Sequence, residues 1–531
     1  MGCAILEMFL RPGNISFGGT ASGGMAAWLE GLITRLDDLV WGPWMLALLL
    51  GSGCYLMIRM DFFPIRNLRF ALRCALGIEG ERDADRKRSE RSRTGRRDSG
   101  TSSGKISSGK ISSGKISSGK ISSGKISSLS SLTTELATTL GIGNIVGVAS
   151  AMVLGGPGAL FWMVVTSVVG MATKLAESML AVKYRGRNDR GEVAGGPMYT
   201  CLNGFPNRRL GKLLGSLFAL FAVTASFGMG NMTQSNSIAD ALWVAFSVPK
   251  AKTGLFLTIL TVLVVIGGIG VIGKVTQVLV PFMGVFYLCG AFAVILVHWR
   301  NVPMAVGGIM TAAFCPQAVS GGIFGSVTVT AFQSLRWGVS RGIFSNEAGL
   351  GASGITAAAA DTEDYIKQGC ISMTGVFLDT VVVCTITGLA FAASGVLGTT
   401  DAGGKPLTGT ALTLAAFRTA LGDWGGSFIS VCIALFAFAT VIGWAYQGEK
   451  AFEFLLGGRT KYNLWYRFAY GLTAFLGCIC SLETVWNFSD ICNALMAVPN
   501  LICVLALSGR ACREIRDYPV PGAGRKPGNP R

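Results

Sequence analysis

Long apolar runs recur along most of the chain and set the expected architecture. A helix of about 20 apolar residues is long enough to cross the hydrocarbon layer of a membrane. Such runs lie near residues 39–58, 132–153, 158–182, 213–246, 253–273, 276–298, 325–351, 371–395, 424–446, 464–482 and 487–508. The pattern therefore predicts an all-α polytopic membrane protein with about eleven transmembrane helices.

Glycine and polar residues interrupt two of these runs. The first interruption is Gly141-Ile142-Gly143-Asn144-Ile145-Val146-Gly147, and the second is Arg341-Gly342-Ile343-Phe344-Ser345-Asn346-Glu347-Ala348-Gly349-Leu350-Gly351. Glycine costs about 1 kcal/mol relative to alanine inside a helix, and broken backbone in a bilayer is tolerated only inside the protein or beside a cavity. Each break is followed by four more spans, a pattern typical of two inverted five-helix repeats with a solute site at the membrane midplane.

The ends of broken helices suit two kinds of charged group. Free N–H groups at a helix N-terminus favour a carboxylate, and free carbonyls at a C-terminus favour a cation or an ammonium group. A small zwitterion needs both, together with a tight apolar wall. The two breaks therefore predict the two halves of one solute-binding site.

Composition and charge fit a membrane protein. Half of the 531 residues are apolar and only 14% are charged, which is unlike a soluble enzyme. The net charge of +17 is spread over alternate loops and not over one folded face, so nucleic acid is not an expected partner. The positive-inside rule places these loops in the cytoplasm, with the N-terminus outside the plasma (inner) membrane and the C-terminus inside. Lys250 and Lys252 are exceptions, because they fall in a predicted outer loop.

Changes in composition divide the chain into six predicted regions. They are an exposed lead-in (1–35), a first transmembrane helix with an interfacial helix (36–78), a basic linker (79–130), two five-helix repeats (131–300 and 301–508) and a cytoplasmic tail (509–531). The linker carries a charged run and then five copies of Gly-Lys-Ile-Ser-Ser, with so little to bury that it is predicted to be disordered. We favour a neutral spacer over a basic tether for anionic lipid, and expect transport to survive its deletion.

Other functional classes find less support. The fourteen cysteines include no C-x-x-C pair and His298 is the single histidine, so no metal site, catalytic residue or resident cofactor is predicted. A membrane-embedded enzyme would need converging ionisable groups, and a channel would need repeated polar or carbonyl rings along a pore. The segment Gly268–Gly273 fits G-x-G-x-x-G but lacks the strand-turn-helix setting of a nucleotide site.

Seven segments resemble, in order, the alanine or glycine:cation symporter family. They are Thr139–Val148, Gly155–Met163, Gly170–Glu177, Gly195–Tyr199, Gly230–Ser237, Arg341–Gly351 and Gly443–Glu449. The resemblance implies the leucine-transporter type of fold, with one leading helix and ten core helices. It also implies that sodium, with protons as the alternative coupling ion, drives the uptake of alanine or glycine. Beyond the substrate, the ion and membrane lipid, no obligate protein partner is expected.

Carried onto this sequence, the resemblance implies a substrate site with a cation site beside it. The implied substrate residues are Gly141, Ile142, Gly143, Asn144, Gln234, Phe344, Ser345, Asn346 and Trp444, and the implied cation residues are Ala137, Leu140 and Thr440. Backbone at the first break would hold the carboxylate, Gln234 would reach the bound amino acid, and Trp444 would exclude side chains much larger than methyl. The structural alternatives are that Gln234 bonds a neighbouring helix, that Trp444 is core packing, and that the two asparagines cap half-helices.

Two positions depart from the family pattern. Ile142 stands where the family usually has threonine, which removes a hydroxyl and adds bulk. Ala439 stands next to Thr440, where the family is expected to offer paired hydroxyls to the cation. The first departure bears on substrate preference and the second on the choice between sodium and protons.

Acidic residues inside the spans are further candidates. Glu177, Glu347 and Asp379 lie within or at the ends of spans, where ionisable residues are functional candidates by default. Lys174 lies one turn before Glu177, so we expect a structural ion pair between them. Glu135 lies near the inner end of the first broken helix and is interpreted as interfacial.

Overall fold

The computed structural model describes residues 31–33, 35–36, 40–78, 124–314, 331–401, 403–480 and 482–521. Within these ranges the chain is helical apart from one two-stranded hairpin, in which β1 (Gly186–Arg187) pairs antiparallel with β2 (Val193–Ala194). The predicted lead-in, most of the basic linker and the end of the tail lie outside the described residues.

Most of the helices follow one another with short connections, the basic linker between α3 and α4 being the main exception. In chain order they are α1 (Pro43–Arg59), α2 (Phe63–Arg66), α3 (Leu68–Ala75), α4 (Ser128–Thr139), α5 (Val146–Leu154), α6 (Ala159–Lys183), α7 (Pro197–Gly204), α8 (Arg208–Phe227), α9 (Thr233–Phe246), α10 (Lys250–Ile266), α11 (Gly268–Val297), α12 (Val302–Phe314), α13 (Ala331–Asn346), α14 (Ala352–Ala357), α15 (Tyr365–Val376), α16 (Thr385–Ser394), α17 (Gly409–Leu421), α18 (Asp423–Leu455), α19 (Asn463–Ile479) and α20 (Leu482–Arg516). Wider π-helical turns join α8 to α9 (Gly228–Met232) and α15 to α16 (Phe377–Cys384).

The predicted apolar runs coincide with these helices, and the all-α class is confirmed. Six helical stretches in the described part of the chain are long and apolar enough to cross a membrane: Ala159–Lys183, Arg208–Phe246, Gly268–Val297, Tyr365–Ser394, Asp423–Leu455 and Val485–Arg516. The leading helix α1 is apolar but shorter. The total of eleven spans stays a prediction.

Both predicted breaks are present as interruptions between half-helices. The first run splits into α4 and α5, with a short 3₁₀ turn at Ile142–Asn144 between them. The second splits into α13 and α14, and the connection takes left-handed backbone at Glu347, with φ of 56°. Neither α4 nor α14 is long enough to cross a bilayer alone, so each pair of half-helices must share one span.

The end of the linker differs from the prediction of disorder over 79–130. The structure describes its last residues, 124–130, and α4 already begins at Ser128. Ser127, from the fifth Gly-Lys-Ile-Ser-Ser copy, accepts a hydrogen bond of 3.1 Å from the backbone N–H of Ser130 and so caps the helix. The composition of the array did not predict this capping role, because one copy by itself contains too few apolar residues to favour an ordered structure.

The same copy is fixed to the second repeat by backbone pairing. The N–H of Lys125 donates to the carbonyl of Ala359 at 2.9 Å, and the carbonyl of Ile126 accepts from Asp361 at 2.7 Å. The Ile126 side chain is buried, and the Lys125 ammonium lies 2.6 Å from a Glu192 carboxylate oxygen. The start of the first broken helix is therefore attached to the segment that follows α14.

Candidate functional site

The two helix breaks lie directly against each other. A Cβ atom placed on Gly143 would lie 3.1 Å from the Cα of Ser345 and 3.3 Å from a ring carbon of Phe344. Both distances are shorter than ordinary van der Waals contact, so a side chain at this position would push the two backbones apart. Residues about 200 positions apart thereby become the two sides of one site.

Side chains of the first break satisfy its own backbone. The amide oxygen of Asn144 accepts from the N–H of Gly141 at 3.0 Å, as the predicted capping alternative requires. The N–H of Ile142 donates to the side-chain oxygen of Gln234 at 3.3 Å, and the Gln234 amide donates to the Met229 carbonyl at 3.2 Å. Gln234 therefore reaches the break from the first turn of α9.

The second break is closed in the same manner. The amide oxygen of Asn346 accepts from the N–H of Ala348 at 2.9 Å, and its amide nitrogen donates to the Thr380 hydroxyl at 3.2 Å. The Lys174 ammonium donates to the Asn346 carbonyl at 3.0 Å and to the Ser353 hydroxyl. The predicted ion pair between Lys174 and Glu177 is wrong, because the long lysine side chain reaches across to the C-terminal end of α13, where free carbonyls favour a cation.

Asp379 joins the two breaks. One of its carboxylate oxygens accepts from the Asn144 amide at 2.6 Å, and the other accepts from the hydroxyls of Ser345 at 2.8 Å and Thr380 at 2.6 Å. Cys384 adds a weaker contact, 3.3 Å from the Asn144 amide nitrogen. The position of Asp379 inside an apolar run marked it as a functional candidate, but the sequence did not indicate its partners.

Trp444 packs beside the second break. It is fully buried, and its indole N–H donates to the Glu347 carboxylate at 2.8 Å. It also packs closely on Gly230, where an added Cβ would lie 2.5 Å from the Trp444 Cβ. Hydroxyls of Thr138 and Ser353 also donate to Glu347, at 3.3 and 3.2 Å. The orientation of the indole is thus fixed by a residue of the second break.

Phe344 of the second break lies in an aromatic contact that the sequence did not predict. Phe344 stacks on Trp486 with ring centroids 5.0 Å apart and an interplanar angle of 19°. The Arg341 guanidinium lies 4.8 Å from the Trp486 ring and makes paired hydrogen bonds of 3.2 and 2.7 Å to the Asp490 carboxylate. The sequence feature that could have indicated this ion pair is the presence of Arg341 and Asp490 in separate apolar runs, because buried charges in membranes usually occur as pairs.

The implied cation residues also come together. The Thr440 hydroxyl donates to the Ala137 carbonyl at 2.9 Å and to the Phe436 carbonyl at 3.2 Å. Leu140 ends α4 on the same side of the break, and Ala439 is a buried apolar neighbour. One hydroxyl from α18 therefore meets one freed carbonyl from α4.

All twelve predicted site residues are buried and gather around the two breaks. The arrangement presents helix N-terminal and C-terminal ends to one small region, so it offers N–H donors for an anionic group beside carbonyl oxygens for a cation. No group of three or more His, Cys, Asp or Glu side chains able to hold a metal ion occurs in the described part of the chain.

Comparison with known proteins agrees with this architecture. The model of the sodium:alanine symporter family matches residues 109–526. The chain is 44% identical to the sodium/alanine symporter AgcS of Methanococcus maripaludis over 490 residues, which cover 92% of this chain and 96% of the relative. It is 40% identical to an uncharacterized transporter of Haemophilus influenzae over 494 residues, with 92% and 96% covered.

A solved structure shares the fold at low identity. MhsT in complex with L-phenylalanine superimposes with a TM-score of 0.53 at 14% identity, covering 75% of this chain and 93% of MhsT. At this identity the likeness concerns the fold alone, and it confirms the predicted leucine-transporter type of architecture.

Proposed function

The chain belongs to the sodium:alanine symporter family and is a multi-pass secondary transporter of amino acids rather than an enzyme; from that premise we propose that it couples sodium entry to the uptake of alanine or glycine by alternating access. The observation that carries the proposal is the direct contact of the two glycine-containing breaks, with Gly143 against Ser345. A site shared by both repeats is the feature that rocking of one helix group against the other would expose to each side in turn.

The first break would receive the substrate carboxylate. The N–H of Ile142 is occupied by the Gln234 side chain, at 3.3 Å, and an arriving carboxylate would take over this donor because a charged acceptor makes the stronger hydrogen bond. Gln234 would then be free to turn its amide toward the bound amino acid. The N-terminal end of α5 adds a favourable dipole at the same place.

Trp444 would limit the size of the substrate side chain. Its ring is held by Glu347 on one side and by Gly230 on the other, so it has little freedom to move aside. A rigid wall discriminates by size, although one extra methylene typically costs only about 1–3 kcal/mol in binding. This supports a substrate no larger than alanine or a near neighbour of it.

Sodium would bind beside the substrate at the carbonyls of Ala137 and Leu140 and the hydroxyl of Thr440. The 2.9 Å contact between the Thr440 hydroxyl and the Ala137 carbonyl supports two of these three ligands. The alternative is a proton-coupled transporter of another small amino acid on the same fold. The observation that favours it is Ala439, which removes one of the expected paired hydroxyls.

Uptake into proteoliposomes tests the proposal. Radiolabelled alanine and glycine are supplied outside, with an inward sodium gradient or with choline in its place, at two external pH values. Sodium coupling predicts accumulation that choline abolishes at both pH values. Accumulation that persists in choline and follows the proton gradient supports proton coupling, and absence of gradient-dependent uptake of either amino acid contradicts the proposed uptake of alanine or glycine.

A matched pair of variants links the activity to the site. Asn144→Ala removes an asparagine that joins the first break to Asp379, and uptake is expected to be lost. Asn301→Ala removes a half-buried asparagine that donates to the Ala393 carbonyl at 2.9 Å, outside the site, and uptake is expected to stay close to wild type.

A further inference from the structure

Buried negative charge exceeds buried positive charge around the two breaks. Glu135, Glu177, Glu347 and Asp379 are all buried, and Lys174 is the positive group that interacts electrostatically with each of them. A buried carboxylate must be compensated by hydrogen-bond donors, a proton or a bound cation. Each of the four carboxylates must therefore be compared with the groups that could compensate its charge.

Two of the four accept hydrogen bonds on both carboxylate oxygens. Asp379 accepts three side-chain hydrogen bonds, and Glu347 accepts from Trp444, Thr138 and Ser353. Glu177 leaves one oxygen without a partner, but the Asn500 amide donates to its other oxygen at 2.5 Å. An amide N–H group pointing at a carboxylate stabilises the anion and offers nothing to a cation.

Glu135 has different surroundings. Its side chain is 2% exposed, and in the described part of the chain it takes part in no ion pair. One carboxylate oxygen accepts from the hydroxyls of Ser372 at 3.0 Å and Ser131 at 3.3 Å. The other oxygen has no hydrogen-bond partner among the described residues. Glu135 is thus buried in the protein and does not lie at an interface, contrary to the interpretation from the sequence.

Further oxygen atoms surround this carboxylate. The Ser131 hydroxyl also lies 3.2 Å from the Thr356 carbonyl. The Gln368 amide nitrogen lies 3.3 Å from the Ser131 hydroxyl, and within the described ranges the Gln368 amide oxygen has no partner. All of these residues are fully buried. Hydroxyl groups can rotate from donating to a carboxylate to offering lone pairs to a cation, and carboxylate, carbonyl, amide and hydroxyl oxygens are ligands for hard cations.

We propose that Glu135, Ser131, Thr356, Gln368 and Ser372 form a second sodium site, separate from the one at Ala137 and Thr440. The Ala137 carbonyl accepts from Thr440 of α18, whereas the Glu135 carboxylate accepts from Ser372 of α15, so the two groups face different neighbouring helices. The proposal rests on the proposed function, because it assigns a second ion to the same transport cycle. It explains why a carboxylate is buried among hydroxyls with one oxygen unpaired.

The position of the site gives it a role in closure. Its ligands come from α4, α14 and α15, which are two half-helices and one of their neighbours. A bound cation would hold α4 against α14 and α15, in addition to the backbone pairing of Lys125 and Ile126 beside it. Loss of the ion would leave an uncompensated carboxylate there and favour separation of these helices.

Counting bound sodium tests the proposal. The full chain is purified in lipid nanodiscs, and ²²Na⁺ binding is measured to saturation. Glu135→Gln keeps the side-chain volume and removes the charge, so it is expected to bind one sodium ion fewer per chain than wild type. Glu177→Gln changes the same group at a carboxylate without the hydroxyl shell and is expected to keep the wild-type sodium count.

A second variant keeps the result interpretable if Glu135→Gln is poorly folded. Ser372→Ala removes one hydroxyl ligand and leaves the carboxylate in place. It is expected to weaken one class of sodium binding by at least about tenfold, because loss of even an outer-shell partner typically costs about 10–100-fold in metal affinity. Equal sodium counts and affinities in wild type, Glu135→Gln and Ser372→Ala would overturn the second site. Proton uptake by wild type that Glu135→Gln lacks, with an unchanged sodium count, would also overturn it.

The same experiment separates this inference from the proposed function. A wild-type chain that binds no sodium contradicts sodium coupling as a whole. A wild-type chain that binds sodium and accumulates alanine, with Glu135→Gln unaffected in its sodium count, contradicts only the second site.

Discussion

Removal of the carboxylate that joins the two breaks is expected to weaken substrate binding. Asp379 is fully buried and accepts from Asn144 at 2.6 Å, Ser345 at 2.8 Å and Thr380 at 2.6 Å. Asp379→Ala leaves these three donors without their acceptor. Each buried donor left unpaired costs about 1–3 kcal/mol, and the hydroxyls can partly relax by rotation.

The size of the effect follows from these contacts. Part of the bonding of Asn144 survives in Asp379→Ala, because its amide also lies 3.2 Å from the backbone carbonyl of residue 379. We therefore expect a total loss of about 3 kcal/mol in the arrangement of the breaks, which corresponds to a Kd for alanine about 150-fold higher. Asp379→Asn can still accept from Asn144 and donate to one hydroxyl, so a loss of about 1 kcal/mol, about fivefold, is expected.

Stability should respond differently from affinity. A buried carboxylate carries a desolvation cost that a neutral amide avoids. Asp379→Asn is therefore expected to melt no earlier than wild type, even though it binds alanine more weakly. A variant that was simply misfolded would lose both properties together.

Binding and melting measured on the same preparations test this reasoning. Alanine Kd is obtained by titration calorimetry, and Tm by thermal unfolding in the same detergent. Asp240→Asn is the matched control, since Asp240 pairs with Lys250 away from the breaks and should leave the Kd unchanged. If Asp379→Ala bound alanine with the wild-type Kd, Asp379 would not organise the site.

Three further outcomes are expected. Trp444→Phe loses the 2.8 Å hydrogen bond to Glu347 and reduces the side-chain volume. In competition assays, amino acids one or two atoms larger than alanine should therefore inhibit alanine uptake more strongly in the variant. An unchanged inhibition profile would contradict the proposal that Trp444 limits substrate size. Deletion of residues 104–123 should leave alanine uptake intact, whereas Ile126→Asp, at a buried position, should lower stability by about 2 kcal/mol or more and lower the Tm. If the backbone alone binds the substrate carboxylate, Ile142→Thr should change the alanine Kd by less than about tenfold, which is a change in binding free energy of under about 1.4 kcal/mol. A larger gain in alanine affinity would indicate that the natural substrate is a different one.

The deletion of residues 104–123 and the Ile126→Asp substitution have different expected effects because Ile126 is buried. Sequence reasoning treated all five Gly-Lys-Ile-Ser-Ser copies alike, because they are identical. The fifth copy, which the structure describes, lies next to a partner segment, where Ile126 is buried and Ser127 caps α4. The role of this copy depends on what lies beside it, which its own sequence does not encode.

The broad architecture could be predicted from the sequence because it depends on local pattern. Apolar runs must be helical in a membrane, and glycines at Gly141 and Gly143 must interrupt such a helix or permit a close approach. The family motifs gave the list of site residues, and those residues do gather in one buried region. The roles of individual ions and substrates at these residues stay predictions.

Only the tertiary structure decided the pairings between distant residues. Asp379 with Asn144, Glu347 with Trp444, and Lys174 with Asn346 each join segments that are far apart in sequence, and no periodicity encodes such contacts. The wrong prediction of an ion pair between Lys174 and Glu177 has the same origin. Helical spacing placed Glu177 within reach, but the packing of α13 brought the free carbonyl of Asn346 closer to the Lys174 ammonium. Hydrophobic pattern and backbone chemistry fix where the helices break, whereas the compensation of each buried charge depends on which helices the fold places against it.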